Sequence, residues 1–153
     1  MNKGFGNEFN KKNNSQNKNL LVEDIELSAQ TKKAIFLARE GKLLESAKIY
    51  NDLIYKGKFN HLTFHRLAGI YERLGKRKEA FQCLQKAINV KKNYAEAYCD
   101  IGRYLLDAKE IKSALNYFAK ALEYNPNLLG AYINIGNIYQ NLLIIYWINL
   151  IYE

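Results

Sequence analysis

AEAYCDIGRYLLDAKEIKSALNYFAKALEYNPNL, residues 95–128, is the stretch that decides the fold. Numbered from 1, it places Tyr98 at position 4, Ile101 at 7, Gly102 at 8, Leu105 at 11, Ala114 at 20, Phe118 at 24, Ala121 at 27 and Pro126 at 32. The same frame moved 34 residues toward the N-terminus, without a gap, gives Phe64, Leu67, Ala68, Tyr71, Ala80, Leu84 and Ala87, with Lys92 where proline stood. A second step gives Gln30, Ala34, Leu37, Ser46, Tyr50 and Leu53, with Lys33 at the apolar position 7. Gly41 and Gly75 both fall at position 15, between two helical halves. Toward the C-terminus the frame continues through Tyr132, Ile135, Gly136 and Tyr139 and then fails.

Small residues at two fixed positions allow close approach of antiparallel helices. Position 8 (Ala34, Ala68, Gly102, Gly136) is expected to face position 20 (Ser46, Ala80, Ala114) across each hairpin. Larger residues at 4, 7, 11 and 24 fill the space between hairpins. Asn125-Pro126-Asn127 stops a helix, because proline lacks an amide donor and restricts the residue before it. Seven helices are predicted, over 28–40, 42–56, 61–74, 77–91, 95–108 and 111–124 and from about 129.

This pattern resembles the tetratricopeptide repeat, whose consensus carries an aromatic, Leu, Gly, Tyr, Ala, Phe, Ala and Pro at these positions. The resemblance implies an all-α fold: a right-handed superhelical array of antiparallel helix pairs. It divides the chain into repeats at 27–60, 61–94 and 95–128, with an incomplete fourth from 129 to 153. A stacked array of this size is near the minimum that folds alone. The fold hosts many functions, so the expected role is a non-enzymatic scaffold that binds an extended peptide or partner helix in a concave groove.

In this family the first helices of successive hairpins line that groove through positions 2, 5, 6, 9, 12 and 13. Here they supply Ser28, Thr31, Lys32, Ile35, Ala38 and Arg39, then Leu62, His65, Arg66, Gly69, Glu72 and Arg73. The third repeat adds Glu96, Cys99, Asp100, Arg103, Leu106 and Asp107. Arg66, Arg73, Asp100, Arg103 and Asp107 are the candidate partner contacts. Their mixed sign suits a peptide better than nucleic acid, which favours a one-sign stripe. Cochaperones of the family hold a chaperone's terminal carboxylate with Lys, Asn, Asn, Lys and Arg, where this chain has Thr31, Ile35, Arg66, Glu96 and Asp100. Glu96 and Asp100 would repel that carboxylate, so this subtype is rejected. The frame one repeat later, His65, Gly69, Asp100, Gly130 and Asn134, fits no better.

No catalytic constellation can be assembled, and no cofactor or metal is expected. His61 and His65 are four apart but lack a third ligand at usable spacing. Gly4-Phe5-Gly6 lacks the strand and helix that frame a phosphate loop. Cys83 and Cys99 are too few for a disulfide framework, so free thiols and a cytoplasmic setting are expected.

Residues 1–22 form a Lys/Asn-rich segment expected to be a disordered tail without a signal-peptide core. Its basic charge, within a chain of net charge +8, supports a third-ranked reading as a peripheral adaptor at an anionic membrane or nucleic acid. From Leu128 to Tyr152 there is no charged residue, and Leu143 sits at position 15. The favoured reading is a fourth repeat cut short by a frameshift. Homodimerisation through the apolar C-terminus and a helix folded back on the array compete with it. A membrane span is disfavoured by Asn134, Asn137, Gln140 and Asn141. The runner-up for function is a remnant of a larger bacterial modular protein, in which such repeats precede a glycosyltransferase or sulfotransferase domain.

Overall fold

The structure is a computed structural model that describes residues 28–152. The expected tail lies outside the described residues. Helix α1 covers residues 28–39, followed by α2 (Leu43–Tyr55), α3 (His61–Arg73), α4 (Arg77–Val90), α5 (Ala95–Asp107), α6 (Ile111–Tyr124) and α7 (Leu129–Tyr152). No strand occurs among the described residues. The predicted boundaries of α2 to α6 and the start of α7 agree with the observed ones to within one residue.

The helix ends explain that agreement. After α1, Gly41 N–H donates to Ala38 O at 3.3 Å and Lys42 N–H to Leu37 O at 2.9 Å. The same bond pair closes α3, from Gly75 N–H to Glu72 O at 2.9 Å and Lys76 N–H to Tyr71 O at 2.8 Å. These 5→2 and 6→1 bonds require a left-handed residue, which glycine adopts without steric cost. Gly41 and Gly75 have φ of +79° and +74°. After α5 the same position holds Lys109, which takes φ +66°; its N–H donates to Leu106 O and the Glu110 N–H to Leu105 O, the same bond pair. Packing of the returning helix therefore imposes the turn on an unsuited residue. In α7 Leu143 occupies that position, and the helix runs through it for 24 residues.

The chain divides into two units, Met1–Lys58 and Phe59–Glu153. In the first, α1 and α2 form a hairpin whose small residues are sealed: Ala34 and Ser46 are both 0% exposed. Ser46 Oγ donates to Ala34 O at 2.7 Å, so position 20 meets position 8 here as expected. Leu37, Ala47, Tyr50 and Leu53 are buried beside them.

The second unit stacks the hairpin α3/α4 on α5/α6, with α7 against α5/α6. Asn60 starts α3 with a reciprocal cap: its Oδ1 accepts from Thr63 N–H and its own N–H donates to Thr63 Oγ1, each at 3.1 Å. Leu67, Leu84, Ile101 and Phe118 are among the sealed core side chains. A Cβ added at Gly102 would lie 2.6 Å from Phe118 Cε1, so position 8 also receives the aromatic at position 24. A ring needs more room than a methyl group, and only glycine leaves it. Ala131 and Ile138 of α7 are buried in the cluster that Tyr98, Ala114 and Phe118 form.

Candidate functional site

The side chains that carry charge in the second unit meet between α3 and α5. His65 stands at the centre. Its Nε2 lies 2.8 Å from Asp100 Oδ2, and its Nδ1 lies 2.8 Å from the Tyr94 hydroxyl. A carboxylate can only accept, so Nε2 carries the proton toward Asp100. In the neutral imidazole Nδ1 then accepts from the Tyr94 O–H. Burial, the largest cause, and then the nearby Glu96 and Asp100 push the Tyr94 phenol up to about 12. This phenol is a fixed donor rather than an activated nucleophile.

Arg103 extends the network along the face. It grips Glu72 with both terminal nitrogens, at 2.6 and 3.1 Å, and its Nη2 lies 3.6 Å from Asp100 Oδ1. The carboxylate of Glu72 raises the guanidinium pKa, against a smaller opposing effect of burial. Asp107, at the end of α5, is taken by Arg77 of α4 at 2.6 Å. Hydrogen bonding to Asp107 likewise raises Arg77.

Of the five candidate contacts, the structure therefore brings Asp100 and Arg103 into one network and turns Asp107 to α4. Arg66 and Arg73 stand exposed on α3. His65 and Glu72, read from the sequence as groove-lining residues but not among the five candidate contacts, complete the network with Tyr94, which sequence reasoning did not single out. Their signal is spacing: His65 and Asp100 are 35 residues apart and Glu72 and Arg103 are 31 apart. Both values sit close to one repeat, so opposite charges on neighbouring first helices become side-by-side pairs.

The two histidines share the Tyr94 ring. His61 and His65 pack edge-on to it with ring centroids at 4.6 and 5.2 Å. Burial, then Lys91, lowers the His61 pKa, which favours the neutral ring. No group of three metal-ligating residues occurs among the described residues. Cys83 and Cys99 are both buried free thiols, and burial pushes each one up and away from reactivity. On another side of the unit, α4, α5 and α6 line an open cleft of about 760 Å³ whose residues include Gln85, Asn89, Tyr98, Tyr117 and Lys120. Among the described residues no helix is long and apolar enough to cross a membrane.

Comparison with known proteins agrees with this geometry. Residues 60–127 match the family model of the tetratricopeptide repeat. An 89-residue segment is 27% identical to the Hsp70-Hsp90 organising protein of Plasmodium falciparum, covering 58% of this chain and 35% of that protein. A 62-residue segment is 34% identical to the protein O-mannosyl-transferase TMTC3 of Mus musculus, covering 40% of this chain and 7% of that one. The chain thus spans only a minor part of either relative. Among solved structures, the first repeat domain of Spaghetti (RPAP3), bound to the HSP90 peptide SRMEEVD, superimposes with a TM-score of 0.68 at 22% identity, covering 76% of this chain and 93% of that one. MamA superimposes with a TM-score of 0.67 at 18% identity, covering 92% and 86%. At these identities the superpositions establish the fold. Through the repeat frame, the helical hairpins and the family match, residues 60–127 of the chain are tetratricopeptide repeats.

Proposed function

We propose that this protein is a non-enzymatic interaction scaffold whose α3/α5 face takes an extended acidic peptide segment. One observation carries the choice of sign. Glu72 and Asp107 each have an arginine of the chain itself at 2.6 Å and Asp100 lies 3.6 Å from Arg103 Nη2, whereas Arg66 projects exposed from α3. Glu72 and Asp107 are thereby largely cancelled as seen by a ligand, and the exposed Arg66 adds positive potential beside them. A related domain, that of Spaghetti, is bound to a peptide with two consecutive glutamates and a terminal aspartate. Arg66 and Arg73 are the direct contacts in this reading; Asp100, Arg103 and Asp107 border them and hold α3, α4 and α5 in place.

The mode differs from a terminal-carboxylate clamp. The clamp positions carry Thr31, Ile35, Arg66, Glu96 and Asp100, and Glu96 is exposed. Recognition then rests on internal acidic side chains. We also infer that residues 23–128 comprise three repeats and residues 129–153 an incomplete fourth. A reducing, cytoplasmic setting suits the two buried free thiols.

The test is fluorescence anisotropy with labelled SRMEEVD, its C-terminally amidated form and the charge-reversed SRMKKVK. The acidic peptide should bind in preference to the reversed one, amidation should change affinity less than about twofold, and Arg66→Glu should weaken binding about threefold to tenfold. Equal affinity for both charge forms, or indifference to Arg66→Glu, would remove α3 as the contact surface.

A further inference from the structure

Helix α7 changes character halfway along. Ala131 and Ile138 anchor its first half in the core at 0% and 3% exposure. From Tyr139 to Ile151 every residue is exposed. Thirteen large hydrophobic residues between Leu129 and Ile151 are each 42–72% exposed. At roughly 200 Å² for a large side chain, that is on the order of 1,000 Å² of apolar surface on one helix. Monomers rarely leave more than about 300–600 Å² uncovered in one patch, and a standard interface takes about 800 Å² from each partner.

The period of the exposed residues defines the partner. Tyr132, Gly136, Tyr139, Leu143, Tyr146 and Leu150 follow one another at alternating spacings of four and three, the seam of a paired helix, over about 27 Å at 1.5 Å per residue. The five with side chains are 51–62% exposed. Gly136 is a notch in that seam: a Cβ added there would meet nothing within 4 Å. The same repeat position in α5, Gly102, is filled by the ring of Phe118.

We propose that α7 forms a two-fold antiparallel homodimer, with the Tyr146 ring of each copy seated in the Gly136 notch of the other. A two-fold axis level with Asn141 pairs Gly136 with Tyr146, Tyr139 with Leu143 and Tyr132 with Leu150, because each pair is symmetric about residue 141. Every layer then sets a larger residue against a smaller one. A second copy fits better than a charged partner, since nothing charged lies between Leu128 and Tyr152 for such a partner to read. The absence of charge also removes like-charge repulsion from the contact despite the net charge of +8.

The experiment is analytical ultracentrifugation of the full chain across a micromolar concentration series, with Gly136→Leu as the variant. The wild-type chain should sediment at twice its 17.8 kDa mass. Leucine at 136 has open space in the monomer, so helix content by circular dichroism should hold while the dissociation constant rises at least about tenfold. A second variant, Gly136→Cys with Tyr146→Cys, should give an intermolecular disulfide on oxidation, and Gly136→Cys with Ile144→Cys should not. A monomer at all concentrations would overturn the proposal, as would a Gly136→Leu chain that dimerises like the wild type. Binding of a monomeric chain to phosphatidylcholine vesicles through α7 would overturn it in favour of a lipid surface.

Discussion

Replacing Gly102 with alanine adds one methyl group at the tightest point between α5 and α6. The new Cβ would stand 2.6, 2.8 and 3.0 Å from three carbons of the Phe118 ring. Carbon pairs are at ease at about 3.5–4.0 Å, so the contact is about 1 Å too short. The ring is 0% exposed and enclosed on all sides, so relief requires the two helices to move apart. Overpacking of this kind costs about 1–3 kcal/mol, and an enclosed ring puts this case at about 2–3 kcal/mol. Against it, alanine is about 1 kcal/mol better than glycine inside a helix. The net expectation is a loss of about 1–2 kcal/mol, or a midpoint lower by about 3–8 °C in thermal unfolding. Urea titration followed by helical circular dichroism measures it. Gly69→Ala is the control, since α3 offers open space there and only the helix gain of about 1 kcal/mol should remain. Combining Gly102→Ala with Phe118→Leu should recover about 1 kcal/mol relative to additivity. A Gly102→Ala chain as stable as the wild type would refute the account of this hairpin.

Two further outcomes test other parts of the molecule. Lys109→Gly should stabilise the fold by about 0.5–1 kcal/mol, because left-handed backbone costs a side-chain-bearing residue about 1–2 kcal/mol and glycine's added chain entropy returns part of it. Gly75→Ala, at φ +74°, should lose about 1 kcal/mol by the same logic in reverse, and equal unfolding midpoints for the three chains would contradict it. Burial also raises Tyr98 and Tyr104, so ultraviolet titration should show several late tyrosines, of which the component near pH 12 disappears in Tyr94→Phe. Because folding raises this pKa, the stability it confers is complete below about pH 10 and is lost as pH climbs toward 12; a wild-type chain whose alkaline unfolding matches that of Tyr94→Phe would rule out the buried donor.

The helices were legible to a residue because their limits are written locally. Gly41, Gly75, Asn60 and the Asn125-Pro126-Asn127 turn act over a few residues, and the 34-residue frame shows how often they recur. Arg103 illustrates what was not legible. Read alone it is a groove cation; in the structure both its nitrogens belong to Glu72, one repeat away. The same holds for Asp107, whose partner Arg77 lies on the neighbouring second helix.

What the sequence by itself determined is the set of helices, their order and their pairing, since hydrophobic period, small-residue columns and turn residues are properties of short stretches. Tertiary structure alone decided which charges cancel between α3 and α5, which ring fills the gap at Gly102, and that Lys109 turns while Leu143 does not. Those outcomes depend on distances between residues from 16 apart (Gly102 and Phe118) to 35 apart (His65 and Asp100), and on whether a returning helix is present to impose a costly backbone conformation.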